Sequence, residues 1–182
     1  MMEKIETGFE GLYLLKPRVF EDDRGHFFES FNQKNFNELV GGNIQFLQDN
    51  QSFSNKDVLR GLHFQKPPFE QGKLVRSITG SVLDIVVDIR KNSATYGQHY
   101  GATLSAENKH LLWIPPGFAH GFLCLEDGTV FNYKCTNYYD KASEDSLLWN
   151  DSDLDIDWKV ANPILSEKDE QANQFKDFAS PF

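Results

Sequence analysis

Ser81-Val82-Leu83-Asp84-Ile85-Val86-Val87-Asp88-Ile89-Arg90 is the stretch on which the fold turns. Leu83, Ile85, Val87 and Ile89 fall on one parity, and Val82, Asp84, Val86 and Asp88 on the other. Alternation with a period of two, rich in β-branched residues and as long as a strand, predicts a β-strand. On either side, short apolar runs recur at 11–15, 26–31, 45–48, 74–78, 110–114, 121–125 and 130–135. Turn-forming clusters at 22–25, 54–57, 67–72, 115–117 and 126–128 separate them. Many short strands punctuated in this way predict an all-β antiparallel sandwich or jelly-roll barrel. Helical spacing is confined to two places. Gln33–Val40 sets Phe36, Leu39 and Val40 on one side, and a second helix begins near Ser166, with Asp169 three residues on as in a capping box. Both helices are expected to be short and peripheral.

The composition agrees with that reading. The chain has 182 residues, 40% of them hydrophobic, which suits one core-bearing domain over residues 1–182. Its 16 Phe, 6 Tyr and 3 Trp lean towards pleated, half-buried surfaces. Lys plus Arg (18) against Asp plus Glu (27) leaves a net charge of −9, which repels phosphate on average and argues against a general nucleic-acid binder. A small phosphorylated ligand then requires a local basic cluster. No run approaches the roughly 18 apolar residues of a membrane span, and the N-terminus lacks the apolar core of a signal peptide. Cys124 and Cys135 follow no metal or redox spacing and read as small strand hydrophobes. The expectation is a soluble, cytoplasmic protein with no membrane or nucleic-acid partner.

Three places carry residues suited to chemistry. Arg60-Gly61-Leu62-His63-Phe64-Gln65 is followed by Lys73, in Gln71-Gly72-Lys73-Leu74-Val75-Arg76. On the same face of neighbouring strands, His63 and Lys73 would bring a base and a cation together inside a barrel, where burial is costly unless it serves function or pairing. The alternative is a half-exposed strand with solvated charges. His120 follows the turn Pro115-Pro116-Gly117, either as a group held near a barrel mouth or as a histidine bonded to the turn backbone. In Val130-Phe131-Asn132-Tyr133-Lys134-Cys135, Tyr133 shares a face with Phe131, opposite Asn132 and Lys134. It is either a packing residue or an acid whose proton is loosened by a nearby cation such as Lys73.

Pro115-x-Gly117-x-x-His120 resembles the second motif of the cupins, with Cys124 where asparagine is usual. The first cupin motif normally supplies H-x-H and a glutamate. Here His63 is followed by Phe64 and Gln65, so the usual metal-ligand set is incomplete and no metal is expected. A more specific resemblance spans residues 11–169. Arg24-Gly25-x-Phe27-x-Glu29, Gln48-Asp49-Asn50-Gln51-Ser52, Arg60–Gln65, Gly72–Arg76 and Val87-Asp88-Ile89-Arg90 stand in the order of the dTDP-4-dehydrorhamnose 3,5-epimerases. Leu104–Asn108, Ile114–Phe122, Tyr133-Lys134 and Leu165-Ser166-x-Lys168-Asp169 continue the pattern.

The resemblance implies a cupin-like jelly roll that inverts carbons 3 and 5 of dTDP-4-dehydro-6-deoxy-D-glucose, giving dTDP-4-dehydro-L-rhamnose on the route to dTDP-L-rhamnose. Inversion next to a ketone needs a base, an acid on the opposite face and a positive neighbour for the enolate, and no redox cofactor. By resemblance His63 is the base, Asp169 orients it, Lys73 stabilises the enolate and Tyr133 returns the proton. Asp169 as the orienting carboxylate competes with Asp169 as a helix-capping residue. Arg24, Glu29, Gln48, Asn50, Arg60, Lys73, His120, Glu144 and Lys168 are implied contacts to the nucleotide sugar. Tyr139 is the implied thymine-stacking ring, worth roughly 1–3 kcal/mol. Without the resemblance, Arg24 and Glu29 read as a surface ion pair. The family also implies a homodimer that covers sheet edges and supplies some contacts across subunits. Rival readings are a carbon-3-only epimerase, a 3,4-ketoisomerase, a non-catalytic sugar-nucleotide binder and a metal-dependent oxygenase.

Overall fold

The computed structural model describes residues 2–182, and two antiparallel sheets dominate it. One sheet orders β1 (Glu3–Glu6), β2 (Tyr13–Lys16), β10 (Leu111–Ile114), β7 (Lys73–Thr79), β12 (Thr129–Cys135) and β5 (Gln48–Ser54). The other orders β13 (Glu144–Ser146), β6 (Leu59–Gln65), β11 (Phe118–Cys124), β8 (Ser81–Asp88) and β9 (His99–Ser105). A separate hairpin pairs β3 (Phe20–Asp22) with β4 (Gly25–Phe27). The helices are α1 (Gln33–Val40) and α2 (Glu167–Glu170), with one 3₁₀ turn at Phe175–Asp177. The all-β jelly roll with short peripheral helices is as expected.

Three hydrophobic layers follow from the alternation. Val82 and Val86 of β8 face inward with Phe122, Phe131, Val75 and Leu112, in the core between the sheets. Ile85 and Val87 face outward and are covered by the C-terminal segment through Leu147, Leu154 and Trp158. Both parities of β8 are therefore buried, which explains its near-continuous apolar run. On the other sheet, Leu74 and Trp113 are covered by α1 through Phe36, whose ring meets Trp113 edge-on at 5.1 Å. Asn32 caps α1 by accepting from the backbone N–H of Asn35, and Gly41 (φ 83) ends the helix.

Two strands read differently in the structure. The run at 45–48 is not a strand; β5 starts at Gln48 and continues through polar residues to Ser54. The run at 26–31 shrinks to the three residues of β4. β5 and β9 lie at sheet edges with exposed outer faces, so neither carries the near-continuous apolar run of β8, which is covered on both faces.

One irregularity places the site. Phe122 of β11 pairs with Arg60, yet His120, two residues earlier, pairs with His63. One extra residue on β6 is absorbed at Gly61, which makes a bulge. As a result Arg60 and His63, an odd number of residues apart, line the same cavity. Gly61 has φ 136, and a Cβ there would lie 2.4 Å from the Cα of Gly121. Only glycine fits that crossing.

Candidate active site

The interior between the sheets holds a polar region where two adjoining cavities share His63, Lys73 and Tyr133. One, about 340 Å³, extends to Gln48, Asn50, Tyr139 and Glu144. The other, about 210 Å³, extends to Ser52, Arg60, His120 and Asp169. His63 and Lys73 do not sit on neighbouring strands, as the sequence had suggested. β6 and β7 belong to opposite sheets, so the imidazole and the ammonium face one another across the interior.

His63 Nε2 lies 2.5 Å from Asp169 Oδ1. The second carboxylate oxygen of Asp169 accepts from the hydroxyl of Ser166 at 2.8 Å, and that hydroxyl in turn accepts from the backbone N–H of Asp169 at the start of α2. Ser166, not the Asp169 carboxylate, caps the helix, and the two oxygens of Asp169 bond His63 and the Ser166 hydroxyl at once. Burial works against the charge of Asp169, but the bonds to His63 and Ser166 outweigh it and keep the carboxyl below its ordinary range. Among the described residues, His63 Nδ1 has no hydrogen-bond partner in the protein.

Tyr133 departs from expectation in its electrostatics. Burial pushes its phenol above the ordinary value, and the cation that opposes this is Arg60 rather than Lys73. Tyr133 is therefore held protonated, as a proton donor rather than an ion. Lys73 makes no ion pair among the described residues, and burial pushes its ammonium below the ordinary value, against the fields of Cys135, Asp84 and Glu144. A cation held in such a place without a bonded partner is available to an incoming anion.

A hydrogen-bonded rim surrounds the larger cavity. Tyr139 donates its hydroxyl to Glu144 Oε2 at 3.0 Å and its backbone N–H to Gln48 Oε1 at 2.9 Å. Gln48 donates to Asn50 Oδ1, and Lys168 extends the chain by pairing with Glu144. The ring of Tyr139 is 52% exposed, so its face is open to stacking. Gln65, which the sequence reading passed over, pins this rim: its amide donates to the carbonyls of Phe69 and Tyr138 and accepts from the N–H of Asp140. A glutamine closing a strand directly after Leu62, His63 and Phe64 was the available signal.

Two expected residues lie elsewhere. Arg24 tips the β3–β4 hairpin, outside both cavities, and its guanidinium is clasped by Asp22. Glu29 accepts from Asn32 and Asn35 next to α1, so the two do not form the surface pair that the sequence allowed. His120 is corrected too. It lies inside β11, and its Nε2 meets the buried Asp84 at 2.9 Å instead of the turn backbone. Among the described residues, no three His, Cys, Asp or Glu side chains converge as metal ligands would.

A jelly-roll interior with a carboxylate-held imidazole, a buried phenol and an unpaired ammonium around one polar space is the arrangement of a cupin-type barrel suited to proton transfer. Comparison with known proteins takes this further. The profile of the dTDP-4-dehydrorhamnose 3,5-epimerase family matches residues 6–177. A dTDP-4-dehydrorhamnose 3,5-epimerase from Shigella flexneri is 52% identical over 176 residues, 97% of each chain. The crystal structure of the enzyme of that name from Elizabethkingia anophelis NUHP1 is 52% identical, covers 97% of each chain and superposes with a TM-score of 0.92. A dTDP-6-deoxy-D-glucose-3,5-epimerase from Legionella pneumophila Philadelphia 1, solved with dTDP-4-keto-L-rhamnose, is 46% identical with a TM-score of 0.94, over 98% of this chain and 95% of that one. The chain belongs to the dTDP-4-dehydrorhamnose 3,5-epimerase family and is an isomerase.

Proposed function

We infer that the protein epimerises dTDP-4-dehydro-6-deoxy-D-glucose at carbons 3 and 5 to give dTDP-4-dehydro-L-rhamnose. The observation that carries this reading is that His63 and Tyr133, on opposite sheets, line the same cavities as the ammonium of Lys73. His63 takes the proton next to the ketone. Asp169 holds the resulting imidazolium, the logic by which a buried carboxylate supports a catalytic histidine. Negative charge moves to the ketone oxygen, where Lys73 meets it without reorganisation. Tyr133 then delivers a proton to the other face of the ring, which inverts the carbon. His63 then releases its proton to solvent and Tyr133 regains one from solvent, after which the same sequence at the second carbon completes the reaction, and no electrons are exchanged.

Gln48, Asn50, Tyr139, Glu144 and Lys168 cluster at the larger cavity and suit the nucleotide end, with the open ring of Tyr139 under thymine. Arg60 and Lys168 supply positive charge to the diphosphate on a chain of net charge −9. Arg24 and Glu29 serve this site from a second copy of the chain in a homodimer. The exposed rings of Phe20 and Phe27 on the same hairpin support that placement. Residues 1–182 work as a single domain around one interior core. Cys124 and Cys135 are buried and free, as suits a reducing cytoplasm, where the reaction is placed.

Incubation of the metal-stripped protein with the keto-sugar nucleotide in heavy water tests the reading. Deuterium at carbons 3 and 5 is the expected result. Label at carbon 3 alone narrows the enzyme to a single epimerisation. No exchange leaves a binder, and turnover only on adding iron or zinc overturns the metal-free chemistry.

A further inference from the structure

Asp84 is a buried carboxylate that none of the steps above uses. It sits on β8 between the inward-facing Val82 and Val86, with no exposed surface. One oxygen meets His120 Nε2 at 2.9 Å, and the other, Oδ1, is buried without a hydrogen-bond partner. A carboxylate in such surroundings is costly to ionise, and an apolar residue of similar size would serve the fold better. The fold alone does not account for it.

Register shows what Asp84 does serve. His63 and His120 are direct cross-strand partners on β6 and β11. Asp84 stands one diagonal further, on β8, opposite Phe122. The two imidazoles therefore lie side by side on one wall of the cavity, each held through Nε2 by its own carboxylate, His63 by Asp169 and His120 by Asp84. His120 lines the cavity with His63, Lys73 and Tyr133, while Phe131 packs nearly parallel to its ring at 6.3 Å. Its Nδ1 has no protein partner among the described residues. A ring fixed on one side by a carboxylate and flanked by an aromatic has one nitrogen left for a ligand.

We propose that Asp84 is a positioning residue for the epimerisation, holding His120 so that its free ring nitrogen meets the ring of the keto-sugar beside Lys73. Asp84 touches no substrate and acts through His120. The inference rests on the epimerase reading.

The test is a double-mutant cycle of D84N and H120N, read by steady-state kinetics and by deuterium exchange at each carbon. D84N keeps the shape and one acceptor but removes the charge. It is expected to lower kcat about 10- to 100-fold, on the scale of outer partners of functional histidines, with KM changed less than about threefold. H120N should lose a similar factor, and the double variant should be no worse than the weaker single, because the two residues act as one unit. A merely structural carboxylate would lower the melting temperature without this non-additivity. If D84N does not fold, D84S, which leaves room for a water in place of the carboxylate, carries the same cycle. Kinetics of D84N within twofold of the parent, or losses that multiply in the double variant, overturn the proposal. Parent protein without turnover overturns the epimerase reading and this inference with it, whereas turnover with an indifferent D84N overturns this inference alone.

Discussion

In the proposed mechanism His63 and Tyr133 divide the proton handling unequally, and their surroundings say how. His63 has a carboxylate behind it to stabilise the charge it gains, whereas Tyr133 lies in a place that disfavours its anion. Removing the base should therefore stop both exchange and inversion. H63A is expected to lose about 10²–10⁴-fold in kcat, with no deuterium entering either carbon. Y133F keeps the base and the ammonium, so it should exchange protons on one face while net inversion is blocked. Proton NMR of the sugar in heavy water distinguishes the two. Normal turnover in H63A would remove the histidine from the mechanism.

At the scale of the element, the bulge at Gly61 decides more than any single functional group. It puts Arg60 and His63 on one wall, and it depends on the close crossing of two glycine backbones. G61A forces a Cβ into the Cα of Gly121 and strains a positive φ, so β6 must move away from β11. The expected outcome is a folded but less stable protein, down by about 1–3 kcal/mol, with kcat reduced far more than that loss explains. Chemical denaturation alongside kinetics checks this, and parent-like kcat in G61A would show that the bulge is not what places His63. The short helix α2 is the matching device on the other side. Ser166 starts it and Asp169 lies within it, so the cap and the carboxylate that meets His63 come from one turn of chain.

For the whole molecule, acid stability and assembly are the properties to test. Asp88 is fully buried at the end of β8. Burial opposes its charge, yet bonds from Arg90, Ser93 and Thr95 more than offset that and hold it at about 2, against 3.8 for the free group. Because the folded-state value is depressed, the stabilisation is complete above pH ~4 and fades as pH falls towards 2. D88N should remove on the order of 1–2 kcal/mol at neutral pH and flatten the stability profile between pH 4 and 2, measurable by urea unfolding. Equal acid sensitivity in both proteins would remove Asp88 as the cause. Assembly is tested by complementation. R24A and H63A are each expected to be weak, but their mixture, unfolded and refolded together, should regain activity through hybrid dimers in which one site has both groups. No recovery in the mixture would place Arg24 outside the partner's site.

Much of this was legible in the chain itself. The alternation of 81–90 and the spacing of turns gave the all-β class, because an apolar core imposes its period on any strand that faces it. His63, Lys73 and Tyr133 stood out because charged and titratable residues within strand patterns need a reason to be there, whereas Asp169, at the start of a helix, stood out only through the family resemblance. β5 was misread for the same physical reason: its inward side carries Gln48, Asn50 and Ser52, which face the polar cavity, so no apolar period marks it. Asp84 was visible as an acid in an apolar run, but nothing local said that His120 would lie beside it. Which sheet each strand joined, the extra residue at Gly61 that turned Arg60 and His63 to one wall, and the pairing of each imidazole with its own carboxylate were decided by tertiary structure alone. Sequence periodicity reports which side of a strand avoids water, whereas the meeting of groups tens of residues apart depends on register and packing that no local pattern encodes.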